Sequence, residues 1–267
     1  EKSVIYDEIN LYKDTPPDRI YDEFEDLIFA GSPLGHNILG SKSTLNKLYA
    51  DDIRKFIGRT YNTYQMVFSV IGNLSEKRFQ AIAERYLGGI PSNPRNFVRQ
   101  PPEIVPAFTK HIGRNTHQAH CILGKRTYSL NDRKRLPLML LMNTLGGPSA
   151  NSLLNMLLRE KNALSYTIES GYTPLTDTGI ATVYFSCDKD KTGRCLELVE
   201  RLFEEVKNGY FSPRRLSVAK KQFIGQISIT SENNEGYMIG AAKSYLVFGG
   251  VDNMQNVAEK ISAISRE

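Results

Sequence analysis

The sequence has no hydrophobic run long enough to cross a bilayer. Its longest, LPLMLLMNTL at 136–145, is about half the roughly 20 residues that a membrane helix needs. It also lies mid-chain, so it is not a signal peptide. Cysteine is scarce. Cys121, Cys187 and Cys195 are odd in number and widely spaced, with no C-x-x-C pair. That excludes a zinc ribbon and a disulfide framework and leaves buried free thiols. A nucleic-acid signature is missing as well. The formal charge is +5, but the basic residues stand in short scattered groups such as DRKR (132–135) and SPRR (212–215). No aromatics interleave with arginine, so the charge reads as a soluble, mildly basic surface rather than a nucleic-acid footprint. Histidine is rarer than average too: there are four, and the first is His36.

What is present describes an ordinary globular chain. At 267 residues, 40% hydrophobic and 24% charged, it is long for one domain and can bury a sizeable core. Val4, Ile5, Ile9 and Tyr12 fall near one helical face, and DTPPD (14–18) ends that helix, because proline cannot continue it. A second helix is expected over 18–30 with Tyr21, Phe24, Leu27 and Ile28 on one side, then a loop at GSPLG (31–35). A further helix is expected over 50–61, a buried strand over 66–74, and a helix capped by Ser75. Residues 88–108 carry five prolines and no helical period, which predicts a semi-extended linker.

Beyond the linker the pattern changes. A strand is expected over 117–128, a buried helix over 133–145 stopped by Gly146-Gly147-Pro148, and a helix over 151–161. Residues 165–173 and 179–188 alternate apolar and polar positions around PLTDT, as an antiparallel pair does. Helices over 194–207 and 213–229 follow, the latter with Ser212 as cap and Pro213 in its first turn. Paired strands without regular strand–helix alternation predict an α+β fold, helices packed on a mainly antiparallel sheet. A weak internal echo relates 31–52 to 245–267, each with glycines, an amphipathic turn and acidic residues. It reads either as a duplicated architecture whose second copy is cut short, or as coincidence.

Three groups of residues invite a chemical reading. Glu1 and Glu8 stand seven apart on the first helix, on one face and about 10 Å apart along its axis. They are either solvated surface carboxylates or one metal ligand with a neighbour that orients another ligand. His117 and His120 are H-x-x-H, but on a strand these positions face opposite sides, so they read as non-ligands. In LLREKNALSY (157–166), Arg159 ends a helix and Tyr166 begins a strand. They are either a surface arginine and a core tyrosine, or two donors that converge on one carbonyl oxygen.

Taken together, EKSVIYDE (1–8), SPLGHNILGSKSTLNKLYADDIRKFIGRTY (32–61) and LGGPSANSLLNMLLREKNALSY (145–166) resemble the pitrilysin/insulinase-type zinc metallopeptidases. These are the inverted zincins, grouped with mitochondrial processing peptidase. The first stretch is similar to the family's E-x(6)-E pattern, and the last to the signature of its second domain. The resemblance runs through essentially the whole chain. It implies that Glu8 is the third zinc ligand and Glu1 its neighbouring carboxylate. It also implies that Arg159 and Tyr166 bind substrate main chain and stabilise the tetrahedral intermediate. In the family, H-x-x-E-H supplies two histidine ligands and a glutamate general base for zinc-bound water. A substrate peptide adds in extended form to a sheet edge.

None of the four histidines lies in H-x-x-E-H. The resemblance therefore implies a fragment with its first and last parts truncated. Residues 1–90 would be the C-terminal part of the first, zinc-side domain, 91–108 the proline-rich linker, and 109–267 the second domain. Zn2+ belongs to the parent protein, with none expected at the catalytic site of the fragment, which is itself expected to be inactive. The implied partners are a peptide substrate and, in the parent, a second copy or a related subunit in a homodimer or heterodimer. The alternative within the family is a non-catalytic structural subunit.

Overall fold

The computed structural model describes residues 1–92 and 98–266. The chain divides into two compact units interleaved along the sequence. The first comprises Glu1–Asn46, Gln100–Lys220 and Ile264–Glu267; the second comprises Lys47–Arg99 and Lys221–Ala263.

The first unit holds a three-stranded sheet. β1 (Ala119–Thr127), β2 (Thr167–Pro174) and β3 (Gly179–Cys187) lie in the order β1-β3-β2 with both pairs antiparallel. The register sets Cys121 against Phe185 and Ile168 against the same residue from the other side. The α+β class expected from the paired strands is the one found. Side-chain alternation divides the sheet into two faces. On one face Val183, Phe185 and Cys187 join the principal core with Met142 and Leu145 of α6 (Arg135–Gly146) and Cys195, Leu198, Val199 and Leu202 of α7 (Thr192–Lys207). Gly146 lets α6 approach β2: a Cβ there would stand 2.8 Å from the Ser170 nitrogen.

The other face carries α2 (Pro16–Ile28), where Phe24 and Ile28 pack with Phe29 and Ile180, flanked by Ile122. Gly124 makes this close approach possible, because a Cβ would overlap the Phe24 ring. α1 (Lys2–Asp14) joins α2 through Thr15 alone, whose hydroxyl donates to the Leu11 carbonyl at 2.9 Å. α3 (Lys42–Asn46) holds α1 by its C-terminal residue: Lys2 and Tyr6 both donate to Asn46.

The predicted linker falls partly outside the described residues, at 93–97. From 98 to 108 no helix or strand forms. The stretch is nonetheless held, because the Arg126 guanidinium donates to the carbonyls of Pro102 and Glu103 and to the Thr178 hydroxyl, and lies 4.7 Å over the Phe29 ring.

The second unit contains α4 (Ala50–Thr60), α5 (Glu76–Leu87), α9 (Asn234–Phe248) and α10 (Met254–Ser262), and the division of the chain falls within α8 (Pro213–Ser231). Ser75 caps α5 as expected, accepting from the Arg78 amide at 3.4 Å. The buried strand expected over 66–74 does not form. Met66, Phe68 and Val70 are exposed and alternate with half-buried Val67 and Ser69, so the period of a strand is kept. Strand assignment requires a ladder of hydrogen bonds, and among the described residues no strand pairs with this segment. Phe68 instead stacks on Phe79 at 5.2 Å, and the Ser69 hydroxyl donates to the Met238 carbonyl. α9 has no counterpart in the sequence reading. It is apolar on all sides, so no face-specific period marks it.

Candidate functional site

The carboxylates come from α1. Ile9 is the buried anchor of this helix, and Glu1 and Glu8 both lie on its exposed surface. The Glu8 carboxylate makes no hydrogen bond or ion pair among the described residues. Val4 and Leu11, four residues before and three after Glu8 on the same side of the helix, are 63% and 64% exposed. Glu8 thus stands between two exposed apolar side chains.

Arg159 and Tyr166 stand at the two ends of one turn. The helix expected over 151–161 has its second part in π form, Asn155–Lys161. Wide turns of this kind recur at functional sites. Leu154 and Leu158 are fully buried beneath it, and the Asn162 side chain donates to the Leu157 carbonyl at 2.8 Å. The amides of Ala163 and Leu164 donate to the carbonyls of Arg159 and Leu158. Ala163 takes φ +49°, a left-handed conformation that costs a residue with a Cβ about 1–2 kcal/mol. Ser165 is buried, and its hydroxyl donates to the Thr167 carbonyl at 3.1 Å.

Both expected donors therefore emerge from a backbone fixed by burial on either side. Arg159 pairs with its neighbour Glu160 at 3.6 Å, with both side chains half exposed, an interaction worth at most about 1 kcal/mol. Tyr166 is 74% exposed. It precedes β2 and leaves the alternation that Ile168, Ser170 and Tyr172 follow, so the reading of it as a core tyrosine is corrected. Lys191 lies nearby. The Asp188 carboxylate, 2.5 Å from its amine, raises that amine, and Tyr166 adds in the same direction.

All four residues belong to the first unit. Arg159 and Tyr166 share a turn; Glu1 and Glu8 share a helix. No hydrogen bond or ion pair among the described residues joins one pair to the other.

Sequence reasoning missed a polar network on the α2 face of the sheet. The Tyr21 hydroxyl donates to Glu169 Oε1 at 2.9 Å, and its ring lies 5.7 Å from that of Tyr184. Tyr184 is 1% exposed, and its hydroxyl meets His120 Nδ1 at 2.8 Å. Burial pushes Tyr184 up to about 12, with Glu169 adding to the rise. Burial also raises the Tyr21 hydroxyl, helped by its bond to Glu169. His120 is lowered by burial. One signal was available: His120, Tyr184 and Glu169 occupy the positions of their strands opposite the core-facing ones.

A zinc ion does not fit the described residues by themselves. Among them no three histidine, cysteine, aspartate or glutamate side chains gather as a metal site. Glu8 is a single carboxylate, and His120 is engaged with Tyr184. Among the described residues, no helix is long and apolar enough to cross a membrane.

Comparison with known proteins agrees with this architecture. An uncharacterized zinc protease of Bacillus subtilis, YmxG, is 26% identical over all of this chain and 64% of its own length. One from Rickettsia bellii is 29% identical over 99% of this chain and 63% of its own length. The chain thus spans a little under two thirds of the curated relatives it matches. Among solved structures, a peptidase M16 inactive domain from Pseudomonas fluorescens superposes with a TM-score of 0.88 at 20% identity, covering 99% of this chain and 63% of that one. A chain of Complex III2 from Candida albicans superposes with a TM-score of 0.87 at 15% identity, covering 99% and 64%. These two likenesses concern the fold. The sequence profile of the family described as "Peptidase M16 inactive domain" matches residues 47–223, more than half of the chain, and the protein belongs to that family.

Proposed function

We propose that this chain is the substrate-orienting part of a zinc-dependent peptidase that acts on extended or unfolded peptides. The observation that supports it best is the turn 159–166. It fixes an arginine and a tyrosine by burying Leu158 and Ser165 and leaves both side chains open to a ligand. An arginine and a tyrosine that converge on one carbonyl oxygen bind a peptide main chain, and they hold it more tightly as negative charge develops on that oxygen. Arg159 supplies charge and Tyr166 a neutral hydroxyl.

In this reading Glu8 contributes one carboxylate to a metal centre whose remaining ligands do not lie among the described residues, and Glu1 is its neighbour. Residues 1–90 belong to the metal-side domain and 109–267 to the second domain. The partner is a peptide, with a second copy or related subunit in the assembled protein. The test is peptide hydrolysis by the full-length gene product with and without a chelator. Activity lost on chelation and restored by zinc supports the reading; activity indifferent to the chelator overturns it. Arg159→Lys and Tyr166→Phe are each expected to lower kcat/KM by about 10²-fold or more.

A second reading is a structural subunit without catalysis. Two observations favour it: the likeness to a chain of Complex III2 and the family's description as an inactive domain. A stable full-length protein that neither hydrolyses peptides nor binds zinc would decide for it.

A further inference from the structure

We propose that Tyr21 and Glu169 are positioning residues that set where the carboxylates of α1 stand relative to the Arg159–Tyr166 turn. The inference rests on the reading of those residues given above. The chain of contacts is short. Glu8 sits on α1, and α1 is tied to α2 by one residue, Thr15. That corner is stiffened by the bond from the Thr15 hydroxyl to Leu11 and by Arg19, which donates to the Lys13 carbonyl at 3.4 Å and pairs with Glu23 at 2.8 Å. α3 also holds α1 through Asn46, so the position of α1 follows those of α2 and α3 together.

α2 meets the sheet through two kinds of contact. Its C-terminal half packs Phe24 and Ile28 on Ile180, and apolar burial has little directionality. Its N-terminal half makes the 2.9 Å bond from Tyr21 to Glu169, which does. Glu169 lies on β2, three residues beyond Tyr166, so the bond runs from α2 to the strand that Tyr166 leads into. The network around it is satisfied, with Tyr184 against Tyr21 and His120 against Tyr184.

Such an arrangement is a poor way to gain stability. Glu169 is exposed, so its bond to Tyr21 competes with water and returns little stability, and a phenylalanine at 21 would bury as much ring surface. A directional bond does limit sliding of α2 along the sheet, and with it the displacement of α1 from Tyr166.

The test uses the full-length protein in the peptidase assay. Tyr21→Phe keeps the ring and removes the donor, Glu169→Ala removes the acceptor, and Glu169→Gln keeps an acceptor for the hydroxyl. Misplaced catalytic groups cost rate rather than ground-state binding, so Tyr21→Phe and Glu169→Ala are expected to lower kcat by about ten-fold with KM within about two-fold. Glu169→Gln is expected to stay near wild type, and the double variant Tyr21→Phe/Glu169→Ala to be no worse than either single one. A merely structural contact would not give this split or this rescue. Unchanged kcat in Tyr21→Phe, or equal losses in Glu169→Gln and Glu169→Ala, overturns the proposal.

Should the wild-type protein show no hydrolysis, the functional reading fails, and the positioning role is read separately. Spin labels carried on non-natural residues at positions 8 and 166 report their separation by pulsed dipolar spectroscopy. One narrow distance in the labelled parent and in Glu169→Gln, with a broadened or shifted one in Tyr21→Phe, supports it. The same narrow distance in all three overturns it.

Discussion

Leu158→Ala tests whether the Arg159–Tyr166 turn is held by the core beneath it. Leu158 is 0% exposed and packs within the cluster that contains Leu154, Phe185 and Val199. Truncation to alanine removes three carbons from an apolar site, about 2.5 kcal/mol of transfer free energy at about 0.8 kcal/mol each. A cavity that fails to close adds about 1 kcal/mol, at about 24 cal/mol per Å³ over some 50 Å³. The expected loss is about 3.5 kcal/mol. With a urea m-value of about 2 kcal/mol/M this lowers the midpoint by about 1.7 M. Unfolding is followed by far-ultraviolet circular dichroism, because the chain has no tryptophan to report it. Met156→Ala is the control. Met156 is 37% exposed two residues away, and its truncation is expected to cost less than about 1 kcal/mol. A loss below about 1 kcal/mol in Leu158→Ala, or equal losses in both variants, would refute the argument that burial anchors the turn.

Three further outcomes are expected. Ala163→Gly relieves the left-handed strain at φ +49° but adds unfolded-state entropy, so stability is unchanged or higher by up to about 1 kcal/mol; Ala163→Val lowers it by more than about 1 kcal/mol. Thermal unfolding of the two variants checks both. Burial lowers His120 below its ordinary value of 6.5, so the unfolded chain takes up a proton that the folded one refuses. Its contribution to stability is full above about pH 6.5 and is lost as pH falls through the lowered folded value. Urea midpoints between pH 7.5 and 5 should therefore fall more steeply for the parent than for His120→Asn. Gly124→Val drives two methyl groups into the Phe24 ring and is expected to cost about 1–3 kcal/mol, measured by denaturant unfolding.

What could be read from the sequence depended on whether a residue's partner was local. Leu123, Ile168, Val183 and Phe185 declare their strands because alternate residues meet one core, and a hairpin puts β2 beside β3 within a few residues. α6 declares itself by an apolar run ended by two glycines and a proline. Segment 66–74 shows the same strand period, yet a strand needs a neighbour, and its own sequence does not name one. α9 is apolar all round, so it has no period to find. The site divides in the same way. Glu8, Arg159 and Tyr166 became candidates by resemblance, since spacing alone left their alternatives open. The bond between Tyr21 and Glu169 joins residues 148 apart and has no local signal. Tyr21 passed for one more apolar residue on the inner side of α2. The left-handed Ala163 was equally hidden, because the turn uses alanine where glycine would have marked it.

The two faces of the sheet also differ in how far along the chain their contacts reach. α6, β2, β3 and α7 lie within residues 135–207, so that side of the core closes through short loops. α2 must find β1 and β3 across some ninety residues or more, and closing so long a loop carries an entropic cost before any contact returns it. The helical pair that carries Glu1 and Glu8 is thus expected to dock last in folding and to open first in the native state. Amide exchange in α1 and α2 would then run ahead of exchange in β3 and α7, and a partner that binds the exposed side of α1 would slow it.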